Sequence, residues 1–382
     1  MVVRAFLSLI LLLAAYPSLA SDPAAFNRLA KSAQEAQNAD RLVESINLYH
    51  QALSLKPTWS DGWWSLGSIL YDQDRFPEAE DAFRKFVSLN VKPGPGYAFL
   101  GLCEYETSKY DDALRHFRLW ASGGWSGTPQ LIDVSLFHFA LLLTRDGKFV
   151  QALYLLAAEV SKSHSGPMLV EAMGLASLRM KNVPEDYPPE RREEVWLAGE
   201  TAFYAAVHPA DFRRADEYAN RLSAHYDQSA NVHYFLGTLR KFESNDDEAE
   251  KEYERELKIS PQHVAAMIEL AKLDLEDDRL DQALSLAKNA SQIEPQNAEA
   301  HGTLGEALVK SSSFEGAAHE LEIAKQLAPD SAPIRFQLAT AYRKLRRAKD
   351  ADREMAVFNS LKDKEMVSLA PVQQGNQPEA VK

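Results

Sequence analysis

Two acidic clusters are the residues whose types and spacing come closest to a catalytic pair of carboxylates. Asp246-Asp247-Glu248 and Glu276-Asp277-Asp278 each place three acids in succession, and paired carboxylates can act as general acid and general base. Both clusters lie in short polar segments between apolar helical patterns, where acids cap or favour the start of the next helix. The sequence therefore favours a structural role for these acids.

Other catalytic and metal-binding patterns are absent from the sequence. The 10 histidines do not fall into metal-ligand spacing, and there is no H-E-x-x-H, no paired C-x-x-C and no glycine-rich phosphate loop. Ser65 precedes Leu66-Gly67, but Trp63 stands where a nucleophile elbow requires glycine. The sequence therefore predicts no catalytic residues, no metal site and no cofactor.

The strongest pattern is a period of 34 residues that runs through most of the chain. From residue 230 onward an apolar residue followed by a small one recurs at this interval, an alanine returns 13 positions later, and a proline closes each unit. A unit of this length cannot bury its apolar face alone, so the period indicates stacked supersecondary units. The recurring residues are Leu236-Gly237, Leu270-Ala271, Leu304-Gly305 and Leu338-Ala339, then Ala249, Ala283, Ala317 and Ala351, then Pro261, Pro295 and Pro329.

Residues 60–93 show what one unit contains. Apolar residues at spacings of three or four form one helical face, and a second face follows a polar turn at residues 72–75. Small residues allow the two helices to approach closely, and the final proline stops the second helix. Each unit is therefore predicted to be an antiparallel helical hairpin. The two faces consist of Trp63, Leu66 and Leu70, and of Ala79, Phe83 and Phe86.

These spacings resemble the tetratricopeptide-repeat family, whose pattern is W-x2-L-G-x2-Y, then A-x3-F, then P. The resemblance implies an all-α fold, a right-handed superhelical solenoid of antiparallel helix hairpins in two blocks. It also implies that the chain binds segments of other proteins. Residues 60–93 carry the pattern most fully, with Trp63, Leu66, Gly67, Ala79, Phe83 and Pro93.

The register of the repeats is interrupted in the middle of the chain. A glycine-rich insertion at 122–127 delays the pattern by about five residues. A single helix is then predicted around Gly174, at 168–180, with no evident partner. Three prolines at 182–189 make that loop the predicted boundary between the two blocks. Copies begin near 26, 60 and 94, and again near 196, 230, 264, 298 and 332.

Residues 1–20 have the features of an export signal. Arg4 is their only charge, the apolar run up to Pro17 is 12 residues long, and Ser18 and Ala20 are small residues at the positions that an export peptidase reads. A spanning helix needs about 18 to 20 residues. The chain is therefore predicted to be exported to the periplasm or secreted, cleaved before Ser21, and to have no stable membrane insertion afterwards.

The complete domain prediction follows from these boundaries. It consists of an export signal at 1–20, an N-terminal repeat block at 24–121, an irregular region of degenerate repeats with the proline-rich break at 122–189, a C-terminal repeat block at 190–362, and a disordered tail at 363–382 that is poor in apolar residues.

Charge and cysteine content limit the possible partners. The net charge is −13, and removal of Arg4 with the signal makes it more negative, which argues against nucleic acid as a partner. Cys103 is the only cysteine, so no internal disulfide can form. It is either a small buried apolar residue or an exposed thiol that links two chains.

The resemblance further implies where a partner would bind, because the first helices of tetratricopeptide hairpins line a concave face. Aromatic and basic residues are typical of binding hot spots, and cations in an acidic protein favour an acidic partner segment. Rings on a helix flank can instead be buried between neighbouring repeats. The predicted partner-binding residues are Trp64, Tyr71, Tyr105, Tyr234, Lys241, Phe242, Lys272, Lys310, Phe336, Arg343 and Lys344.

The predicted function is that of a non-catalytic scaffold that presents this groove to a peptide segment of another protein in the cell envelope. Two alternatives remain open from the sequence. One is a carbohydrate-binding or enzyme-associated role in processing envelope polysaccharide, with sugar rings on the aromatic residues. The other is a self-assembly module, in which the end repeats or Cys103 join copies of the chain.

Overall fold

The structure is a computed structural model that describes residues 23–161, 165–184, 186–207 and 209–374. Within these ranges it contains 19 α-helices, one 3-10 turn at Pro189–Arg191 and no β-strand. The all-α prediction is confirmed. The chain divides into two compact units, Met1–Glu159 and Val160–Lys382, which are described separately. The predicted export signal at 1–20 lies outside the described residues.

Unit 1 consists of consecutive helical hairpins. α1 packs on α2, α3 on α4, and α5 on α6, as the 34-residue period predicts. The last residues of α8 belong to unit 2. The helices are α1 (Pro23–Asn38), α2 (Leu42–Leu55), α3 (Ser60–Tyr71), α4 (Phe76–Leu89), α5 (Pro95–Glu106), α6 (Tyr110–Ser122), α7 (Pro129–Arg145) and α8 (Phe149–Ser161).

Unit 2 begins with α9 (Pro167–Ser177) and continues as hairpins from α10 onward, each helix packing on the next. The first helix of each hairpin, called a first helix below, is α10, α12, α14, α16 or α18. The remaining bounds are α10 (Arg192–Ala206), α11 (Phe212–Tyr226), α12 (Val232–Phe242), α13 (Asp246–Ile259), α14 (Val264–Glu276), α15 (Leu280–Ile293), α16 (Ala298–Lys310), α17 (Phe314–Leu327), α18 (Ala332–Lys344) and α19 (Ala348–Gln374).

A residue in the left-handed conformation closes the turn of nearly every hairpin. Asp74 has φ of 57°; its N–H donates to the Tyr71 carbonyl at 3.0 Å, and the Arg75 N–H donates to the Leu70 carbonyl at 2.9 Å. These two bonds satisfy carbonyls that the last turn of α3 leaves without a partner. The position recurs at the 34-residue interval as Asp40, Asp74 and Ser108 in unit 1, and as Ser244, Asp278, Ser312 and Arg346 in unit 2.

The two acidic clusters belong to these turns and have different roles. Asp278 supplies the left-handed residue that ends α14, so it closes the preceding helix rather than capping the next one. Asp246–Glu248 form the first turn of α13, where acids favour the helix dipole. The side chain that caps α13 is Asn245, which accepts from the Glu248 N–H at 3.4 Å. The structural role expected for the clusters is therefore confirmed, but their capping role is not.

α9, the helix that sequence could not pair, packs antiparallel against α10. A Cβ atom at Gly174 would lie 2.0 Å from the Val195 carbonyl oxygen, and one at Gly199 would lie 2.0 Å from the Val170 carbonyl oxygen. The two backbones therefore touch where only glycine fits. The proline-rich loop at 182–189 joins these two packed helices inside unit 2, whereas the sequence placed the boundary in that loop; the compact units divide between residues 159 and 160.

The last helix extends beyond the predicted C-terminal block. α19 runs to Gln374 and so overlaps the first part of the tail that the sequence predicts to be disordered from residue 363. The overlap contains Lys364, Glu365, Met366 and Leu369, which favour helix. Residues 375–382 lie outside the described part of the chain.

Side-chain donors near the start of several first helices tie each hairpin to the chain that precedes it. The Trp63 Nε1–H donates to the Pro57 carbonyl at 2.8 Å, and the Arg335 Nη2–H donates to the Pro329 carbonyl at 2.7 Å. His233 and His301 occupy the same repeat position and place Nε2 2.9 Å and 3.1 Å from the carbonyls of Asp227 and Pro295. In each case the acceptor lies six residues before the donor.

In unit 2, His233 of α12 also pairs with Glu252 of α13, the second helix of the same hairpin. His233 Nδ1 lies 2.5 Å from Glu252 Oε2, and the His233 Nε2 atom faces the Asp227 carbonyl. Because both neighbours are acceptors, the imidazole satisfies them together only when it carries both protons. Burial by itself lowers the pKa of His233, but the bonds to Glu252 and to the carbonyl outweigh it and raise the pKa above its ordinary value.

Small residues set the crossing of the two helices within a hairpin. A Cβ atom at Gly305 in α16 would lie 2.4 Å from Leu321 Cγ of α17, and Ala317 is completely buried. Three residues before Gly305, a Cβ atom at Gly302 would make only an ordinary contact, 3.6 Å from Ile334 Cγ1. The two glycines of α16 therefore have different roles.

We expect Gly305→Ala and Ala317→Leu each to lower the free energy of unfolding by about 1 to 3 kcal/mol, because both overpack the crossing. Gly302→Ala is the matched control and should raise it by about 0.5 to 1 kcal/mol through helix propensity. Urea unfolding measures all three. Equal losses for Gly302→Ala and Gly305→Ala would contradict the proposed crossing.

We also expect His233 to make stability depend on pH. A raised pKa in the folded state contributes stability that is fully present below the pKa of a free imidazole, about 6.5, and that is lost as pH rises through the higher folded value. Urea unfolding of the wild type and His233→Gln between pH 5 and pH 9 should show a difference that shrinks as pH rises. A difference that is constant across this range would exclude a charged His233.

Candidate partner-binding surface

Trp64, the first predicted groove residue, belongs to an aromatic core in unit 1. Its ring centroid lies 5.1 Å from Phe86 and 5.8 Å from Phe83 of α4, and 5.5 Å from Phe99 of α5. Phe83 is completely buried, while Trp64 is partly buried. The Trp64 ring therefore packs α3 against the two neighbouring helices, α4 and α5.

Tyr71 and Tyr105 are also packing residues. Tyr71 lies 5.2 Å from the Phe99 ring, and burial raises its pKa to about 12. Tyr105 is only 7% exposed, and its ring lies 4.6 Å from His138 of α7. The prediction that Tyr105 faces a partner is therefore wrong, because rings on the flank of a first helix fill the space between adjacent hairpins.

Three of the predicted cations are paired inside unit 2. Each lies on a first helix and reaches a carboxylate of the neighbouring hairpin, so its charge is partly balanced within unit 2. The Lys310 ammonium also donates to the Leu275 carbonyl. The shortest distances across hairpins are Lys241 Nζ to Glu276 Oε2 at 3.4 Å, Lys272 Nζ to Glu299 Oε1 at 2.6 Å, and Lys310 Nζ to Asp278 Oδ1 at 3.5 Å.

Tyr234 of α12 is covered from within unit 2. The guanidinium carbon of Arg179, just after α9, lies 5.1 Å from its ring centroid, and the His263 ring lies 4.9 Å away on the α14 side. Burial raises the pKa of the Tyr234 hydroxyl. Phe242, at the other end of α12, is 69% exposed. Of these two predicted residues, Phe242 alone presents a largely open ring.

α18 combines a partly exposed ring with two exposed cations of the predicted surface. Phe336 is 44% exposed, and its ring lies 5.5 Å from Phe358 of α19. Arg343 and Lys344 are exposed, and the structure gives their side chains no hydrogen bond or ion pair within the described residues. Phe336 and Arg343 are seven residues apart, which places them on one face of the helix.

Unit 2 also contains a cavity that no residue pattern predicts, because it forms where a side chain is absent. The repeat position that holds Tyr234, Ile268 and Phe336 in other first helices of unit 2 holds Gly302 in α16. The space next to it, which we call the Gly302 pocket, has a volume of about 440 Å³ and lies between α16, α17 and α18. Its lining includes Gly302, Glu306, Leu321, Pro333, Ile334 and Gln337.

Other kinds of site find no support in the described residues. They contain no group of three or more histidine, cysteine or acidic side chains that could hold a metal ion. None of their helices combines the length and apolar character that spanning a membrane requires. Cys103 is completely buried, and burial raises the pKa of its thiol to about 12. Of its two predicted roles, the structure shows the buried one.

Comparison with known proteins gives two matches to family models described as tetratricopeptide repeat, at residues 28–98 and 274–325. The rice (Oryza sativa subsp. japonica) DnaJ protein P58IPK homolog B is 25% identical over 338 residues, covering 85% of this chain and 68% of the relative. Homolog A from the same plant is 24% identical over 338 residues, covering 85% and 67%.

Solved structures of MamA are also similar. MamA 41-end from Desulfovibrio magneticus RS-1 has a TM-score of 0.37 at 18% identity, covering 43% of this chain and 96% of that one. A MamA RS-1 ArsTM double mutant has a TM-score of 0.40 at 16% identity, covering 45% and 96%. The first family match lies in unit 1 and the second in unit 2. Each compact unit thus contains a segment that matches a tetratricopeptide-repeat model.

Proposed function

We propose that the chain is a non-catalytic scaffold that binds a segment of a partner protein on the first-helix face of unit 2. The observation that carries this proposal is the exposure of three side chains of α18. Phe336 is exposed, and Arg343 and Lys344 are exposed and have no hydrogen-bond or ion-pair partner within the described residues. An aromatic ring beside free cations is typical of binding hot spots. The repeats in both units support a protein as the partner.

The binding surface is centred on α18 rather than spread along all the first helices. Lys241, Lys272 and Lys310 already have carboxylate partners in neighbouring hairpins, so part of their charge is balanced within unit 2. Arg343 and Lys344 have no such role, so their charge is available to another molecule. An acidic stretch of the partner would be drawn to this end of the surface.

The two alternative functions lose part of their support. The carbohydrate-binding role rested on rings that would stack on sugars, but Trp64 and Tyr71 pack against neighbouring helices and Tyr105 is buried. The self-assembly role rested in part on Cys103, whose sulfur is buried. Self-association through the end repeats remains an alternative that the following experiment also addresses.

A photo-crosslinking residue in place of Phe336 should capture a partner from the native envelope. We expect Arg343→Glu with Lys344→Glu to lower the yield of that crosslink about tenfold or more, because 1.4 kcal/mol corresponds to a factor of ten in affinity. Quantitative mass spectrometry of the crosslinked product measures the yield.

The matched control carries Lys85→Glu and Lys288→Glu, which change the charge equally at exposed positions of the second helices α4 and α15. Equal yields in the two double variants would refute the α18 surface. A crosslink only to a second copy of the chain would favour self-assembly instead.

We further propose that the chain is exported, so that its partner is an envelope or secreted protein. The support is in residues 1–20, with Arg4, the apolar run after it, and Ser18 and Ala20 before the expected cleavage point. N-terminal sequencing of the protein from the envelope fraction should begin at Ser21. Recovery of an intact Met1 terminus from a membrane pellet would indicate an uncleaved anchor instead.

A further inference from the structure

We infer that the Gly302 pocket binds a lysine or arginine side chain of the partner segment. This inference rests on the proposed function and names the chemistry that the partner presents at one position. It differs from the acidic partner expected near Arg343 and Lys344, because the pocket has the opposite charge. The two ends of the surface would therefore recognise different side chains.

The shape of the pocket suits a long aliphatic stem. Gly302 contributes no side chain, and the walls include the apolar groups of Leu321, Pro333 and Ile334. A Cβ atom at Gly302 would lie 3.6 Å from Ile334 Cγ1, so glycine is not required there by close helix packing. Lysine and arginine bury their methylene stems against apolar surface while the charged group stays near polar atoms.

The charge around the pocket favours a cation. Lys272 lines the pocket, but its ammonium is shared between Glu269 at 2.7 Å and Glu299 at 2.6 Å. Burial by itself lowers the pKa of Lys272, but these two carboxylates outweigh it and raise the pKa, so the ammonium stays charged. With Glu306, the three carboxylates and one ammonium give a local net charge of −2.

Glu306 is the group that we assign to the incoming cation. Within the described residues its carboxylate has no hydrogen bond or ion pair, and the same holds for the Gln337 amide on the opposite wall. Glu306 is one helical turn from Gly302 on the same face of α16. Lys310, a further turn along, is bound to the Leu275 carbonyl and to Asp278, so it does not neutralise Glu306.

The position of the pocket also sets a direction for the bound segment. Arg343 lies six residues after Gln337 in α18, about 9 Å along the helix axis. A partner segment with a basic residue in the pocket and an acidic stretch over Arg343 and Lys344 would match both ends. The reversed segment would place like charges together, which is unfavourable.

The test measures binding of single side chains to the full chain. The probes are the Nα-acetyl N-methylamides of lysine, arginine, norleucine and glutamate, and the reporter is the ¹³C-labelled δ1 methyl group of Ile334 in NMR spectra. We expect the lysine and arginine probes to shift this signal saturably, with Kd on the order of 10 mM. Norleucine, which has the stem without the charge, and glutamate should bind at least about fivefold more weakly.

Two variants and one control locate the binding. Gly302→Leu should fill the pocket and abolish the shift, while thermal melting confirms that the chain is folded. Glu306→Gln should weaken the lysine probe by about fivefold or more. Glu315→Gln removes the same charge from an exposed position of α17 outside the pocket, and it should leave the affinity unchanged.

Equal affinity for lysine and norleucine, tighter binding of glutamate, absence of a saturable shift up to about 100 mM of every probe, or a shift that persists in Gly302→Leu would each overturn the inference. The proposed function fails separately, through the Phe336 crosslink. Lysine binding without a crosslinked partner would reject only the α18 surface, and a partner crosslink without lysine selectivity would reject only the pocket.

Discussion

In four of the hairpins, stacking depends on a side-chain hydrogen bond that fixes the start of the first helix to a backbone carbonyl six residues earlier. That carbonyl lies where the previous hairpin has ended and where helical partners are lacking. The indole of Trp63, the imidazole of His301 and the guanidinium of Arg335 all make this bond. The chemistry of the donor changes, but the acceptor and the spacing do not. Where it occurs, this bond orients a hairpin on its predecessor, and apolar packing fills the interface between them.

Several charged residues of unit 2 pair with carboxylates of neighbouring hairpins. Lys241 and Lys272 reach forward to carboxylates of the next hairpin, and Lys310 reaches back to the previous one. In α18, Arg335 pairs with Glu354 of α19 at 2.6 Å, whereas the Arg343 and Lys344 side chains have no ion pair within the described residues. This difference is why the proposed surface is centred on Phe336, Arg343 and Lys344 rather than on the whole groove.

The sequence predicted the hairpins well because their determinants are local and periodic. The five-residue delay after the glycine-rich insertion is visible in the structure as the shift of the left-handed residue from the expected place to Gly147. Other features depend on contacts that a period does not encode. The pairing of α9 rests on Gly174 and Gly199, which stand in different sequence contexts, and the packing of Trp64 rests on rings from two other helices. The Gly302 pocket arises from a missing side chain, which no search for functional residue types would find.

The close approach of α9 and α10 has a consequence for how such a chain can change in length. Whole repeats of 34 residues can be gained or lost between α12 and α19 while every remaining interface keeps its geometry, since each hairpin contacts mainly its neighbours. Among the described helices, only α9 and α10 each place a glycine against the other's backbone, where a side chain would clash. The α9–α10 pair therefore fixes the position from which the later repeats stack. A gene duplication or a truncated expression fragment that separates the two helices would leave α10 with an exposed face that no other repeat can cover.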